Sequence, residues 1–166
     1  MRKVIFSKRA YTALCTEFHM FDSEETGGVF IGYYEDNIYY VVESVFSGPY
    51  AKHTSAEYIY DYEYVNYQVN MLAEMYEKEI DVIGIWHSHV TSSPFSIADE
   101  RTNLQFAQLN EYGGLTCLID IQNKHFFVYM VSPEGEYASL AYEVLDEIEF
   151  CYRTLFLFEG KENNYE

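Results

Sequence analysis

The stretch "GIWHSHVTSSPFSIADE", Gly84 to Glu100, decides how this chain is read. It places His87 and His89 one residue apart and follows them with Asp99. It is either a metal site or a strand that happens to hold two histidines before a well-capped helix. The run "DVIGIWHSHV", Asp81 to Val90, is apolar and β-branched, which predicts a buried, central strand. Side chains alternate along a strand, so His87 and His89 face one side and Ser88 the other. Pro94 ends the run, and Ser96 to Leu109 predicts a helix with Ile97, Leu104 and Ala107 toward the core. Ser96-x-x-Asp99 has the spacing of a helix-capping arrangement. Capping and ligation are compatible, because a carboxylate has two oxygens.

A catalytic zinc ordinarily has three protein ligands and one open position. Two histidines therefore need a partner, and Asp99 is the nearest candidate, since Pro94 and the helix start turn the chain back toward the strand end. Two neutral imidazoles and one carboxylate leave a net positive charge at the ion, which favours ionisation of a bound water near neutral pH.

Outward from this stretch, Val4 to Phe6 predicts a short strand, and Ala10, Leu14, Phe18 and Phe21 recur at helical spacing. "GGVFIGYY" (Gly27 to Tyr34) and "NIYYVVESVF" (Asn37 to Phe46) predict an antiparallel pair joined at "EDN". "GPYAKHTS" reads as a loop, and Glu57 to Lys78 as one long helix on grounds of length. Beyond Gly113-Gly114, strands are predicted at Leu115 to Ile121, His125 to Val131 and Ser139 to Leu145, and an apolar helix or strand at Ile148 to Phe158. The sum is an α+β domain with a curved, mostly antiparallel or mixed sheet of about six strands flanked by about three helices. It spans residues 1–158, with a polar tail at 159–166.

The length of 166 residues suits a single core, and 49% apolar against 22% charged residues suits a globular chain. The formal charge of −17 repels phosphate backbones and anionic lipid, so neither nucleic acid nor membrane is expected as a partner. Cys15, Cys117 and Cys151 are odd in number and contain no CxxC, which suggests a reducing, cytoplasmic setting. His19, His53 and His125 stand isolated in the sequence, Cys117 reads as a buried small hydrophobe, and Asp120 has no evident partner. Trp86 is expected to pack beneath the histidines as a dry floor.

A catalytic carboxylate is available at "SEETGGVFIG", Ser23 to Gly32, where Glu25 sits just before a Gly-Gly that opens a strand. Standing alone it would be an ordinary solvated acid. Together, the glutamate in "ETGGVFIG", the later "WHSH" and the Ser-x-x-Asp closely resemble the JAB/MPN family of zinc metalloproteases, also called JAMM proteases. The resemblance runs roughly from Val4 to Leu145 and implies a cytidine-deaminase-like architecture. It further implies Zn²⁺ on His87, His89 and Asp99, Glu25 as general base toward the attacking water, and Ser96 as a donor to the oxyanion. The implied substrate is an isopeptide or peptide bond at the C-terminus of a ubiquitin-like protein. This chain departs from the family pattern in two places: Val90 stands where a proline is common, and the loop Val90 to Phe95 is one residue short. A metal-free binding scaffold of the same fold and a zinc peptidase for small peptides are the alternative functions.

Overall fold

A computed structural model describes residues 2–146. Along the chain run β1 (Lys3–Ser7), α1 (Lys8–Met20), β2 (Gly27–Glu35), β3 (Ile38–Val45), β4 (Lys52–His53), β5 (Tyr58–Ile59), α2 (Tyr62–Ala73) and β6 (Asp81–His89). They are followed by α3 (Ile97–Ala107), β7 (Gly114–Asp120), β8 (His125–Val131), β9 (Tyr137–Ser139) and β10 (Ala141–Leu145). Eight strands form one sheet in the order β10-β1-β3-β2-β6-β7-β8-β9, and β4-β5 form a small second sheet.

The α+β class holds, with corrections to the sheet. It has eight strands among the described residues, not about six, and it is mixed: β1 runs parallel to both β3 and β10, and β6 parallel to β7. The strand expected over Ser139 to Leu145 is two strands hinged at Leu140, β9 on β8 and β10 on β1. These partners lie at opposite ends of the strand order, so a single bend brings the two edges together and curls the sheet into a near-barrel. Aromatic contacts stitch the seam, with Phe126 lying 5.2 Å from Tyr142 and 5.8 Å from Phe6 between ring centroids. The stretch Ile148 to Phe158 and the tail after it lie outside the described residues.

The long helix expected over Glu57 to Lys78 is confined to Tyr62–Ala73. Asp61 caps it by accepting from Tyr64 N at 3.1 Å, and of the alternating tyrosines Tyr58 belongs to β5, which pairs with β4 inside the expected "GPYAKHTS" loop. Past Ala73 tertiary packing overrides helical propensity, because Tyr76 and Ile80 turn into the core and Tyr76 Oη donates to Glu43 at 2.6 Å. The β2–β3 turn is as expected: Asp36 and Asn37 both take positive φ, 51° and 66°, the pair of angles a tight hairpin needs and these residues tolerate.

Two cores sandwich the sheet. Val4, Phe6, Phe30, Val41, Leu115, Cys117 and Val128 pack with Ala10 and Leu14 of α1. On the other face, Val29, Ile31, Val42 and Val45 pack with Val65 of α2. Strand β6 lies between β2 and β7, near the middle of the sheet, as its apolar run requires. Its last residues are held on both sides, His87 opposite Gly27 of β2 and His89 opposite Asp120 of β7. The two histidines therefore sit on a strand that is paired on both sides up to His87 and with β7 through His89.

Candidate metal centre

His87 and His89 share a face at the C-terminal end of β6, and the first turn of α3 carries Asp99 back to them. The Nε2 atoms lie 3.1 Å apart; His87 Nε2 is 3.4 Å from Asp99 Oδ1, and His89 Nε2 is 3.3 Å from Asp99 Oδ2. Donor atoms about 2.0–2.1 Å from a tetrahedral centre are separated by about 3.3–3.4 Å, so these spacings match a common zinc-sized centre. The donor set also fits zinc, with two imidazole nitrogens and one carboxylate oxygen.

The capping box and the ligand set use the same aspartate. Ser96 is the N-cap of α3, its Oγ accepting from Asp99 N at 3.2 Å while Asp99 Oδ2 accepts from Ser96 N at 2.7 Å. The reciprocal bonds fix the carboxylate's rotation, and Oδ1 is left facing His87. Accepting from Asp99 leaves the Ser96 hydroxyl proton available for donation, and Ser96 is exposed at the mouth of the site.

His89 is fixed through its other nitrogen. Nδ1 lies 3.1 Å from Ser93 O and 3.0 Å from Ser93 Oγ; a hydrogen on Nδ1 donated to that carbonyl, which only accepts, leaves Nε2 as the nitrogen that would ligate at the shared centre once its own proton is lost. The short loop between β6 and α3 is pinned from below. Asp120, which the sequence left without a partner, accepts from Ser92 Oγ at 2.7 Å and from Asn123 N at 2.9 Å. Asn123 Nδ2 reaches both Asp120 and Ser92, and Gln122 accepts from Ser92 N at 3.0 Å. The missing residue is absorbed in this loop, and Asp99 still meets both imidazoles.

The charges are mutually dependent. Burial alone would raise the Asp99 carboxyl, but hydrogen bonds from His87, His89 and Ser96 outweigh it and hold the group well below the usual carboxylate range. The bond to Asp99 lifts His89 above its ordinary 6.5, against the opposing effect of burial. Glu25 is raised by burial, with His89 and His87 pulling it back and Asp99 adding to the rise. Glu25 therefore lies within electrostatic reach of all three members of the cluster. It lines one groove of about 550 Å³ with His87 and Asp99, whose walls are Tyr58, Ile59 and Tyr60 on one side and Phe106 and Leu109 of α3 on the other.

Trp86 is 2% exposed, packs in the α1-side core, and lines the same groove as Glu25, His87 and Asp99, beneath the site as expected. A Cβ on Gly28 would stand 2.3 Å from Val45 O and 2.8 Å from Trp86 Nε1, which is why a glycine opens β2 here. His53, isolated in the sequence, in fact touches the Glu25 segment, its Nδ1 3.0 Å from Glu25 O. No local motif marks it, because the contact depends on the β4-β5 hairpin folding over Glu25. Glu17 and Tyr58 are equally invisible in sequence: the first is a buried acid on α1, the second a half-buried groove residue whose hydroxyl is buried.

Comparison with known proteins agrees with this geometry. No curated protein matches the chain. Among solved structures, the solution structure of protein DSY2949 from Desulfitobacterium hafniense is similar, with a TM-score of 0.60 at 13% identity over 88% of this chain and 95% of that one. At that identity the likeness concerns the fold alone. The family model described as prokaryotic homologs of the JAB domain matches residues 7–139, which include Glu25, His87, His89, Ser96 and Asp99, and the chain belongs to that family.

Proposed function

We propose that this protein is a zinc-dependent peptidase or isopeptidase that cleaves at the C-terminal tail of a ubiquitin-like protein. The observation that carries the reading is the convergence of three donors from β6 and α3 at tetrahedral spacing, beside a groove that is also lined by the half-buried carboxylate of Glu25. Bound there, zinc supplies Lewis-acid polarisation of a carbonyl and a lowered pKa for water.

The chain's own residues do the rest. Glu25, raised by burial, is matched to take a proton from the attacking water and return it to the leaving amine nitrogen. Ser96 Oγ–H serves as a donor toward the carbonyl oxygen as charge develops on it, an interaction whose loss costs about 2.7–4 kcal/mol in comparable sites. His89 is held in the ligating tautomer by Ser93, and Asp99 by Ser96. The open groove, rimmed by Ile59 at 51% and Leu109 at 78% exposure, suits an extended tail with apolar side chains. The net charge of −17 disfavours nucleic acid and anionic lipid as alternatives.

The test is metal analysis with hydrolysis of ubiquitin-like fusions. The wild type is expected to hold about one zinc per chain, in line with a single closed ligand set, and to cleave the fusion. Glu25→Gln is expected to keep the zinc and lose the cleavage. Wild-type protein that stays metal-free in excess zinc overturns the proposal.

A further inference from the structure

Glu17 is an acid where α1 should have a hydrophobe. It follows Ala10 and Leu14 on the buried face of the helix and is 5% exposed. A buried carboxylate is costly unless its oxygens are fully used. Here Oε1 accepts from Ser47 Oγ, from Ser47 N at 3.2 Å and from Thr26 Oγ1 at 3.1 Å. Ser47, 2% exposed, meets His53 Nε2 at 3.3 Å, and His53 Nδ1 lies 3.0 Å from the carbonyl of Glu25. As with His89, that carbonyl only accepts, so Nδ1 is the donor.

The imidazole is also clamped by stacking, on Phe21 at 3.7 Å and 14° and on Tyr58 at 5.9 Å and 30°. The Glu25 amide is fixed as well, donating to Thr54 O at 2.7 Å on the same hairpin as His53. The next residue, Thr26, donates to Ser88 Oγ at 3.0 Å and accepts from Ser88 N at 2.7 Å, between the two histidines. Both backbone polar groups of Glu25 and both of Thr26 are thus engaged, and Thr26's hydroxyl returns to Glu17. One connected network runs from the core of α1 to the backbone of the acid in the groove.

We propose that His53 is a positioning residue for Glu25: seated against Ser47 and clamped between Phe21 and Tyr58, it holds the Glu25 carbonyl and so sets the direction in which that side chain enters the metal groove. The catalytic part of this assignment rests on Glu25 acting as general base; the backbone part does not. Fixing the backbone on both sides of a short acid is the economical way to aim its carboxylate to within hydrogen-bond tolerance.

His53→Asn and His53→Gln separate the idea from a general packing role. Asparagine carries an N–H near the Nδ1 position and retains the bond to Glu25 O; glutamine places its amide near Nε2 and loses it. Amide hydrogen exchange at Glu25 and Thr26, in zinc-free and zinc-loaded protein, is the primary measurement, with amides of β1 and β7 as internal controls. His53→Gln is expected to speed exchange at Glu25 and Thr26 on the order of tenfold with the controls unchanged, and His53→Asn to stay near wild type. On a ubiquitin-like fusion, His53→Gln should lower kcat with KM and zinc affinity unchanged. Ser47→Ala, a small truncation that spares the ring stack, should also speed exchange at both amides. Equal behaviour of the Asn and Gln variants, or unchanged exchange in Gln and Ser47→Ala, overturns the assignment. If the wild type shows neither zinc nor hydrolysis, the proposed function fails while the exchange comparison still decides the positioning role.

Discussion

Asp99 caps α3 and, on the proposed function, also ligates zinc, and two substitutions separate these roles. As the third residue of α3 it accepts from Ser96 N at 2.7 Å, and as a ligand it faces both imidazoles at 3.3–3.4 Å. Asp99→Asn keeps a carbonyl oxygen for the cap but removes the negative charge from the centre. Asp99→Ala removes both. Without metal, the Asn variant should retain the helix start, whereas Ala should lose about 0.5–2 kcal/mol, the usual worth of such a cap. With zinc the order changes. Loss of an outer-sphere partner typically weakens metal binding 10–100-fold, and loss of a direct charged ligand should reach at least the upper end, about 100-fold.

That figure converts to a thermal shift. Zinc at about 1,000 times the wild-type Kd stabilises the folded state by about 4.1 kcal/mol; a 100-fold weaker variant at the same zinc gains only about 1.4. The difference of roughly 2.7 kcal/mol corresponds to about 5–11 °C in Tm for a domain of this size. Differential scanning fluorimetry of the wild type and both variants, with zinc and with chelator, reads this directly. If Asp99→Asn keeps the full zinc-induced shift, Asp99 is a helix cap and not a ligand, and the catalytic proposal loses its third donor.

Other expectations follow from the same geometry. In zinc-free protein, His89's raised pKa contributes stability that is full below its ordinary 6.5 and lost as pH rises through the folded value, whereas Asp99's lowered pKa contributes above its ordinary 3.8 and is lost on acidification. The site's contribution should therefore peak between those two ordinary values. Zinc binding must displace the His89 proton, so loaded protein should instead gain stability from that same peak toward pH 8, and denaturant titrations of both forms across pH 4 to 8 that slope the same way would contradict this. Gly28→Ala pushes a methyl to 2.3 Å from Val45 O and should destabilise the fold by about 1–3 kcal/mol in urea unfolding. Asp120→Ala frees Ser92 and Asn123 and loosens the loop that holds Ser93 against His89; zinc affinity by competition with a chelating dye should fall roughly tenfold, within the range for groups behind a ligand.

The convergence of the His-His-Asp cluster was legible in the sequence for a physical reason that did not extend to its supports. His87, His89 and the Ser96–Asp99 cap are set by strand alternation and helix-start chemistry, both local rules, so spacing alone places them on one strand face and in one helical turn. Glu25 needed one long-range pairing, Gly27 against His87, and the family resemblance supplied what periodicity could not. The strand count failed where the rule was global: β9 and β10 form a single apolar run, and only closure of the sheet tells Leu140 to bend. His53 failed likewise, since its partner is a backbone carbonyl 28 residues away, and a carbonyl leaves no mark in the sequence.

The one-residue-short loop shows how the two kinds of information meet. Deleting a residue between His89 and Ser96 would shift a freely extended chain by about 3.5 Å, enough to remove a ligand. The aspartate nevertheless reaches both imidazoles, because its position is measured from two rigid elements and not along the loop. The capping box fixes Asp99 to α3, and α3 is fixed to the sheet where Asn103 accepts from Thr116 of β7 at 3.0 Å. His87 and His89 are fixed to the same strand β7 from the other side, through the parallel β6–β7 ladder. The loop only has to span the gap, and Asp120 at the end of β7 gathers its slack. A side-chain cluster referenced to one strand tolerates changes in the connection between its members. It should be far less tolerant of changes at Asn103 or Thr116, which touch no ligand and yet hold α3 to the strand from which the whole site is aligned.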